Sequence, residues 1–191
     1  MNRVFVLSPA NCNGVRARLL RKSNSLELAK RLRGSGVPLS EVFSFVSSLY
    51  FRGKVTYAQA FAQPPADCVG IFIITPTIGL VPHDMLIGMS TLRRFSKGAI
   101  DVNNRLYCSS LQCSAEQLDR AIGSKCEVVL LGSIASGKYL NLLSPIFGCR
   151  LRVPAEFVGR GDMSRGGLLL RCIKDSRELS YIDVPKKALD I

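Results

Sequence analysis

Val69-Gly70-Ile71-Phe72-Ile73-Ile74 is the stretch that decides the fold, because it is apolar at nearly every consecutive position. A strand built from it buries both of its faces, as a central strand does in a sheet covered by helices on either side. It runs straight into Thr75-Pro76-Thr77-Ile78-Gly79, a segment of turn-forming residues. The same order, short strand then polar loop, appears twice more. Arg3-Val4-Phe5-Val6-Leu7 leads into residues 8–14, and Glu127-Val128-Val129-Leu130-Leu131 leads into Gly132-Ser133-Ile134-Ala135-Ser136-Gly137.

Helical patterns fill the intervals. Leu19, Leu20, Leu26, Leu28, Ala29 and Leu32 recur at helical spacing through residues 15–33, with Gly34 and Gly36 as the stop. Ser40, followed by Val42, Phe43, Phe45, Val46 and Leu49, predicts a capped helix to Tyr50. Arg52-Gly53-Lys54 is expected to interrupt it before a shorter helix over 55–61. Phe51 and Tyr57, flanking those basic residues, are either core aromatics or stacking platforms. Residues 84–110 predict a mixture of helix and irregular chain, and Ser114-Ala115-Glu116-Gln117 has the form of a capping box opening a helix to Ile122. Another helix is expected over 138–147. Residues 151–153, 167–173 and 179–184 read as strands, the last two a hairpin about Lys174-Asp175-Ser176-Arg177. The expectation is one α/β domain over residues 1–191, a three-layer fold with a mostly parallel sheet and helices on both faces. Residues 150–191 form a β extension in this reading, with an antiparallel hairpin at its end.

Twenty-six Lys and Arg against 14 Asp and Glu give a net charge of +12 over 191 residues, and 47% of the chain is apolar. That composition is a folded protein's, and the charge suits a phosphate-rich partner. It is also clustered: from Arg3 to Arg33 there are eight basic residues and one acid, Glu27. Seven cysteines without CxxC spacing, an odd number, do not suggest a disulfide framework, and with one histidine no metal site or cofactor is expected. Cys126 and Cys172 lie in apolar runs and read as buried small hydrophobes. No apolar run reaches the roughly 20 residues that cross a bilayer, and no leader pattern opens the chain, so cytoplasmic residence without a membrane partner is the expectation.

In sheets of this kind ligands bind beyond the carboxyl ends of the strands, so the three polar loops at 8–14, 75–84 and 132–138 are expected along one rim. Ser8, Asn11, Asn13 and Thr75 offer hydrogen bonds to a base edge, with Gly79 permitting close approach. Gly132, Ser133, Ser136, Gly137 and Lys138 match a phosphate-binding GxxxxGK loop, but Tyr139 stands where the pattern needs Ser or Thr to hold magnesium. A backbone cradle for phosphate and a structural tight turn both remain open. Gly159-Arg160-Gly161-Asp162-Met163-Ser164-Arg165-Gly166-Gly167 brackets two arginines, one acid and a serine with glycines, which fits a phosphate-binding loop at Arg160, Ser164 and Arg165 or a flexible surface loop. His83-Asp84 is either an orienting pair for water or a base, or an ordinary helix cap.

Ile73-Ile74-Thr75-Pro76-Thr77-Ile78-Gly79-Leu80-Val81-Pro82 resembles the Thr-Pro-x-x-Gly-Leu-Val-Pro segment of the uracil-DNA-glycosylase-like domain found in archaeosine synthases. The likeness spans residues 3–145 in outline, with only this segment specific. It implies a glycosylase-like fold and a link to nucleic-acid bases. Glycosylases proper use an acidic or Asn side chain in the first motif and a His near a late Ser/Pro motif; here the first loop has Asn11 and Asn13 but no carboxylate, and the late loop has Ser133 and Ser136 but no histidine. The functional expectation is therefore binding of DNA or RNA, in repair, defence or RNA modification. One rival is an enzyme, a glycosylase or nucleotide-processing activity with Asp162 or Asp84 as acid-base group and His83 as helper. Another is a basic subunit docking on an acidic protein.

Overall fold

The computed structural model describes residues 1–134 and 137–184. Strands β1 (Arg3–Leu7), β3 (Ile71–Thr75), β6 (Glu127–Leu131) and β7 (Leu151–Pro154) run parallel, in the order β3-β1-β6-β7. An antiparallel strand closes each edge: β4 (Gly79–Pro82) beside β3, and β8 (Tyr181–Asp183) beside β7. A two-stranded ladder of β2 (Val37–Pro38) and β5 (Leu86–Ile87) lies apart.

Alternation along β1 shows why both faces must be covered. Phe5 and Leu7 point into one core with Phe43, Phe51 and Tyr57, while Val4 and Val6 point into a second with Tyr107, Leu111 and Leu143. The first core is roofed by α1 (Val15–Lys22), α2 (Glu27–Arg33), α3 (Leu39–Phe61), α4 (Met89–Lys97) and α7 (Asp162–Lys174), and the second by α5 (Arg105–Ile122) and α6 (Leu140–Phe147). The α/β class and the helix-covered, mostly parallel sheet are those expected. Cys126 and Cys172 are fully buried, as their apolar surroundings suggested.

Four local expectations are corrected. The helix over 15–33 is two helices, because the Ser23 hydroxyl accepts from the Leu26 amide and gives that backbone a non-helical alternative. Arg52-Gly53-Lys54 breaks nothing: α3 is continuous for 23 residues. Gly53 is there for proximity, since a Cβ on it would stand 3.0 Å from the Gly166 carbonyl oxygen, and a Cβ on Gly166 would stand 2.9 Å from the Tyr50 Cα. The supposed capping box is helix interior: Asn104 caps α5, and the Ser114 hydroxyl accepts the Leu80 amide of β4. Residues 167–173 are helix, not strand, because Leu168, Leu169 and Cys172 form a buried stripe against α3. Hence residues 150–184 are not a purely β extension and the hairpin of 167–173 with 179–184 is absent among the described residues; β8 pairs with β7 across the intervening helix, and residues 185–191 of the expected extension lie outside the described residues.

Candidate functional site

Counting only the parallel strands in chain order, the sheet reads 2-1-3-4, so the direction of winding reverses between β1 and β6. Connections leave that point toward opposite faces and the loops part, which is where doubly wound sheets open a crevice. The cleft found there has a volume of about 420 Å³. Its lining comes from the loop after β1 (Asn11 and Asn13), the turn after β3 (Pro76), the segment after α4 (Gly98) and the entry to α6 (Lys138 and Tyr139).

Each wall has a local cause. The Asn11 side chain accepts the Asn13 amide at 2.9 Å, an Asx turn that reverses the chain after β1 and leaves both residues exposed. Gly132 crosses directly over β1's end, a Cβ there standing 2.9 Å from the Ser8 Cβ. The Lys138 carbonyl accepts the buried Tyr107 hydroxyl at 2.9 Å, which fixes the backbone before α6, and the Lys138 ammonium lies 5.3 Å from the Tyr139 ring centre. The approaches are basic. Exposed Arg16 and Arg18 open α1 just beyond the Asn13 turn, and exposed Arg93, Arg94 and Lys97 lie on α4 before Gly98.

Behind the cleft lies a cluster that the sequence did not announce. Lys54 of α3 is 1% exposed, and its ammonium donates to the Ser8 carbonyl at 2.5 Å and the Ser8 hydroxyl at 2.8 Å. The rings of Tyr50 and Phe51 stand over it at 4.6 and 4.8 Å, and no carboxylate lies within ion-pair distance among the described residues. Burial pushes its pKa down to about 7 against the opposing pull of Asp162. Arg165, also buried, donates to the Phe157 carbonyl at 2.8 Å and meets Asp162 at 3.3 Å. The Tyr50 hydroxyl and the Arg165 guanidinium are buried side by side, near enough to interact though short of a well-formed hydrogen bond. Tyr50 is pushed up to about 12, chiefly by burial, and Tyr139 is raised by burial together with the proximity of Tyr50 and Asp162. Tyr139 thus joins the cluster to the cleft.

The structure therefore brings together Ser8, Asn11, Asn13, Gly132, Lys138, Asp162 and Arg165 of the expected site residues. Arg160 and Ser164 stand exposed at the start of α7, 3.4 Å apart between guanidinium and hydroxyl. Thr75 and Gly79 are at the rim but turned to structural work: the Thr75 hydroxyl braces the turn to the Gly79 carbonyl, and Gly79 is pressed against the Ser110 carbonyl of α5. Ser133 is half-buried just past β6, Gly137 takes a positive φ of 61° before Lys138, and Ser136 lies outside the described residues. His83 and Asp84 are at the other edge. The His83 amide donates to the Ile71 carbonyl, where β3 begins, so residues 75–84 do not all share the rim. Lys54 and Tyr50 were missed because, in sequence, each is an unremarkable position of a helix; a lysine inside an otherwise apolar stripe was the available signal.

Among the described residues no group of three or more His, Cys, Asp or Glu could hold a metal, and no helix is long and apolar enough to cross a membrane. The fold and site define the class: a doubly wound α/β protein with a basic cleft at its topological switch point. Comparison with protein-family models, with curated proteins and with solved structures finds no match.

Proposed function

We propose that the protein binds nucleic acid, DNA or RNA, in the rim cleft, on a scaffold of the uracil-DNA-glycosylase-like kind. Asn11 and Asn13 offer donors and acceptors to a base edge, and Lys138, Arg160 and the arginines of α1 and α4 neutralise the neighbouring phosphates. The observation that carries the reading is the placement of charge. The cleft lies at the switch point, and among the described residues none of Arg16, Arg18, Arg93, Arg94, Lys97, Lys138 or Arg160 forms an ion pair with a carboxylate. Cations held near one another without counter-charges raise the local potential, and a polyanion lowers it.

Binding is favoured over excision because no carboxylate lines the cleft among the described residues and His83 stands at the far edge. The test is binding to single- and double-stranded DNA and RNA over a range of salt. Affinity should fall steeply and linearly on logarithmic axes, since each neutralised phosphate releases counterions. Salt-independent binding, or none to either nucleic acid, overturns the proposal. Release of free base from modified oligonucleotides would replace it with the enzymatic reading.

A further inference from the structure

We propose that a bound single strand continues out of the cleft along α4 and into a second depression at that helix's other end, so that α1, α2 and α4 form a backbone track for nucleic acid longer than the cleft can hold. The inference rests on the nucleic-acid reading and deepens it. Its starting point is the unequal charge of the helices on the two sides of the sheet. α1, α2 and α4 touch one another over the first core and carry four, three and three basic residues with a single acid, Glu27. On the opposite side α5 balances Arg105 and Arg120 with Glu116 and Asp119, and α6 has no charged residue. Of the cations on α1, α2 and α4, only Lys30 and Arg31 meet a carboxylate among the described residues, at Glu27 and Glu41. A surface so one-sided in charge suits the backbone of a polyanion.

The path is set by α4. The cleft takes part of its lining from the C-terminal end of this helix and the segment after it, at Phe95, Gly98 and Ile100. At the N-terminal end lies a second depression of about 470 Å³, between Arg33 at the end of α2 and Ser90 and Arg93 at the start of α4. The nine residues of the helix hold the two about 14 Å apart along its axis. A stacked strand places a phosphate about every 3.4 Å, so about four phosphates span the interval. Exposed Arg93, Arg94 and Lys97 lie along it. Entering a depression at each end of one short helix requires a chain that bends within a few nucleotides, which a single strand does and a duplex, stiff over roughly 150 base pairs, does not. The track is also fixed from beneath. Leu20, Leu32 and Leu92 are buried in the shared core, and the Arg33 guanidinium donates to the Ser23 carbonyl at 2.8 Å, tying the end of α2 to the end of α1. Little of the contact energy is then spent on ordering the protein.

The probes are single-stranded DNA oligonucleotides of about 4, 8, 12 and 20 nucleotides, with the longest also offered as a duplex, followed by fluorescence anisotropy over a range of salt. Affinity should rise about tenfold or more between the first two lengths and then level off, and the salt slope should steepen by about three as the added phosphates are neutralised. Ser90 is exposed in the first turn of α4, where an acid suits the helix dipole, so Ser90→Glu should fold. It should remove most of the gain with length while the shortest strand binds as before, and Ser90→Lys should enlarge the gain; opposite effects from one exposed position do not come from misfolding. Arg120→Glu, on the opposite side of the sheet, should change neither. Affinity and salt slope that do not depend on length overturn the track and leave the cleft reading standing. So do binding of the duplex alone, a gain unchanged in both Ser90 variants, or an Arg120→Glu effect equal to that of Ser90→Glu. Failure of every probe to bind overturns both.

Discussion

Where the parallel strands begin, Arg3 meets Glu127 and Glu178, Arg152 meets Glu127 and Asp183, and Arg150 meets Asp119. Where the same strands end, Lys54 is buried without a carboxylate, and Lys138 and Arg160 form no ion pair among the described residues. One sheet thus carries two kinds of cationic edge. The lower one is internally neutralised and closes the fold: Glu127 joins β1 to β7 through two arginines, and Tyr181 of β8 covers the Arg3 guanidinium at 4.7 Å. The upper one keeps its charge available, at the cost of desolvating an ammonium. Net charge alone cannot distinguish these uses of arginine and lysine; the pairing does.

The sharpest way to break the contrast is to remove the shared carboxylate below. Glu127→Ala should remove the buried carboxylate that Arg3 and Arg152 share, leaving Arg3 to Glu178 and Arg152 to Asp183, and destabilise the protein by about 2 kcal/mol, read from denaturant midpoints, with little change in nucleic-acid affinity per folded molecule. A loss of affinity without a loss of stability would mean that the lower edge also binds ligand.

The upper edge should show itself through pH. Lys54 is held at about 7 in the folded protein, below its unfolded value near 10.4, so between those values the unfolded chain binds more protons. Stability of the ligand-free protein should therefore rise with pH across that window, by up to about 1 kcal/mol per pH unit from this group. Lys54→Met should flatten the rise, because the titrating ammonium is exchanged for an apolar side chain of similar length, while the Ser8 carbonyl and hydroxyl lose its two hydrogen bonds. A rise that persists in the variant would assign it to another group.

A smaller effect is expected at the cleft mouth. Lys138→Ala should weaken nucleic-acid binding several-fold and reduce the salt slope by about one, with stability unchanged, since its ammonium rests only over the Tyr139 ring. Least of all should come from the exposed Arg31–Glu41 pair, at 2.6 Å: Glu41→Ala should shift the denaturant midpoint barely at low salt and not at all at high salt. An effect as large as that of Glu127→Ala would show that burial is not what separates the two classes of pair.

The strands were legible because unbroken apolar runs at residues 3–7, 71–74 and 127–131 have few alternatives in a basic chain, and the polar loops after them mark where they stop. Glycine misled the reading of α3 and α7. In sequence it signals a break or a loop, whereas Gly53 and Gly166 serve a close helix crossing whose second half lies more than a hundred residues away. The same distance hid half of the site. Asn11, Asn13 and Lys138 follow strands and could be inferred from strand order, but Ser8 and Lys54 are 46 residues apart, and only the packing of α3 over β1 joins them.

What the sequence determined by itself is the layer architecture and the net charge, because periodicity fixes which faces are buried and composition fixes the charge. Which charges are neutralised and which are left unpaired was decided by tertiary structure alone. Ion pairing and desolvation depend on separations of a few ångströms between side chains, and the chain sets those separations only when its distant segments are packed together.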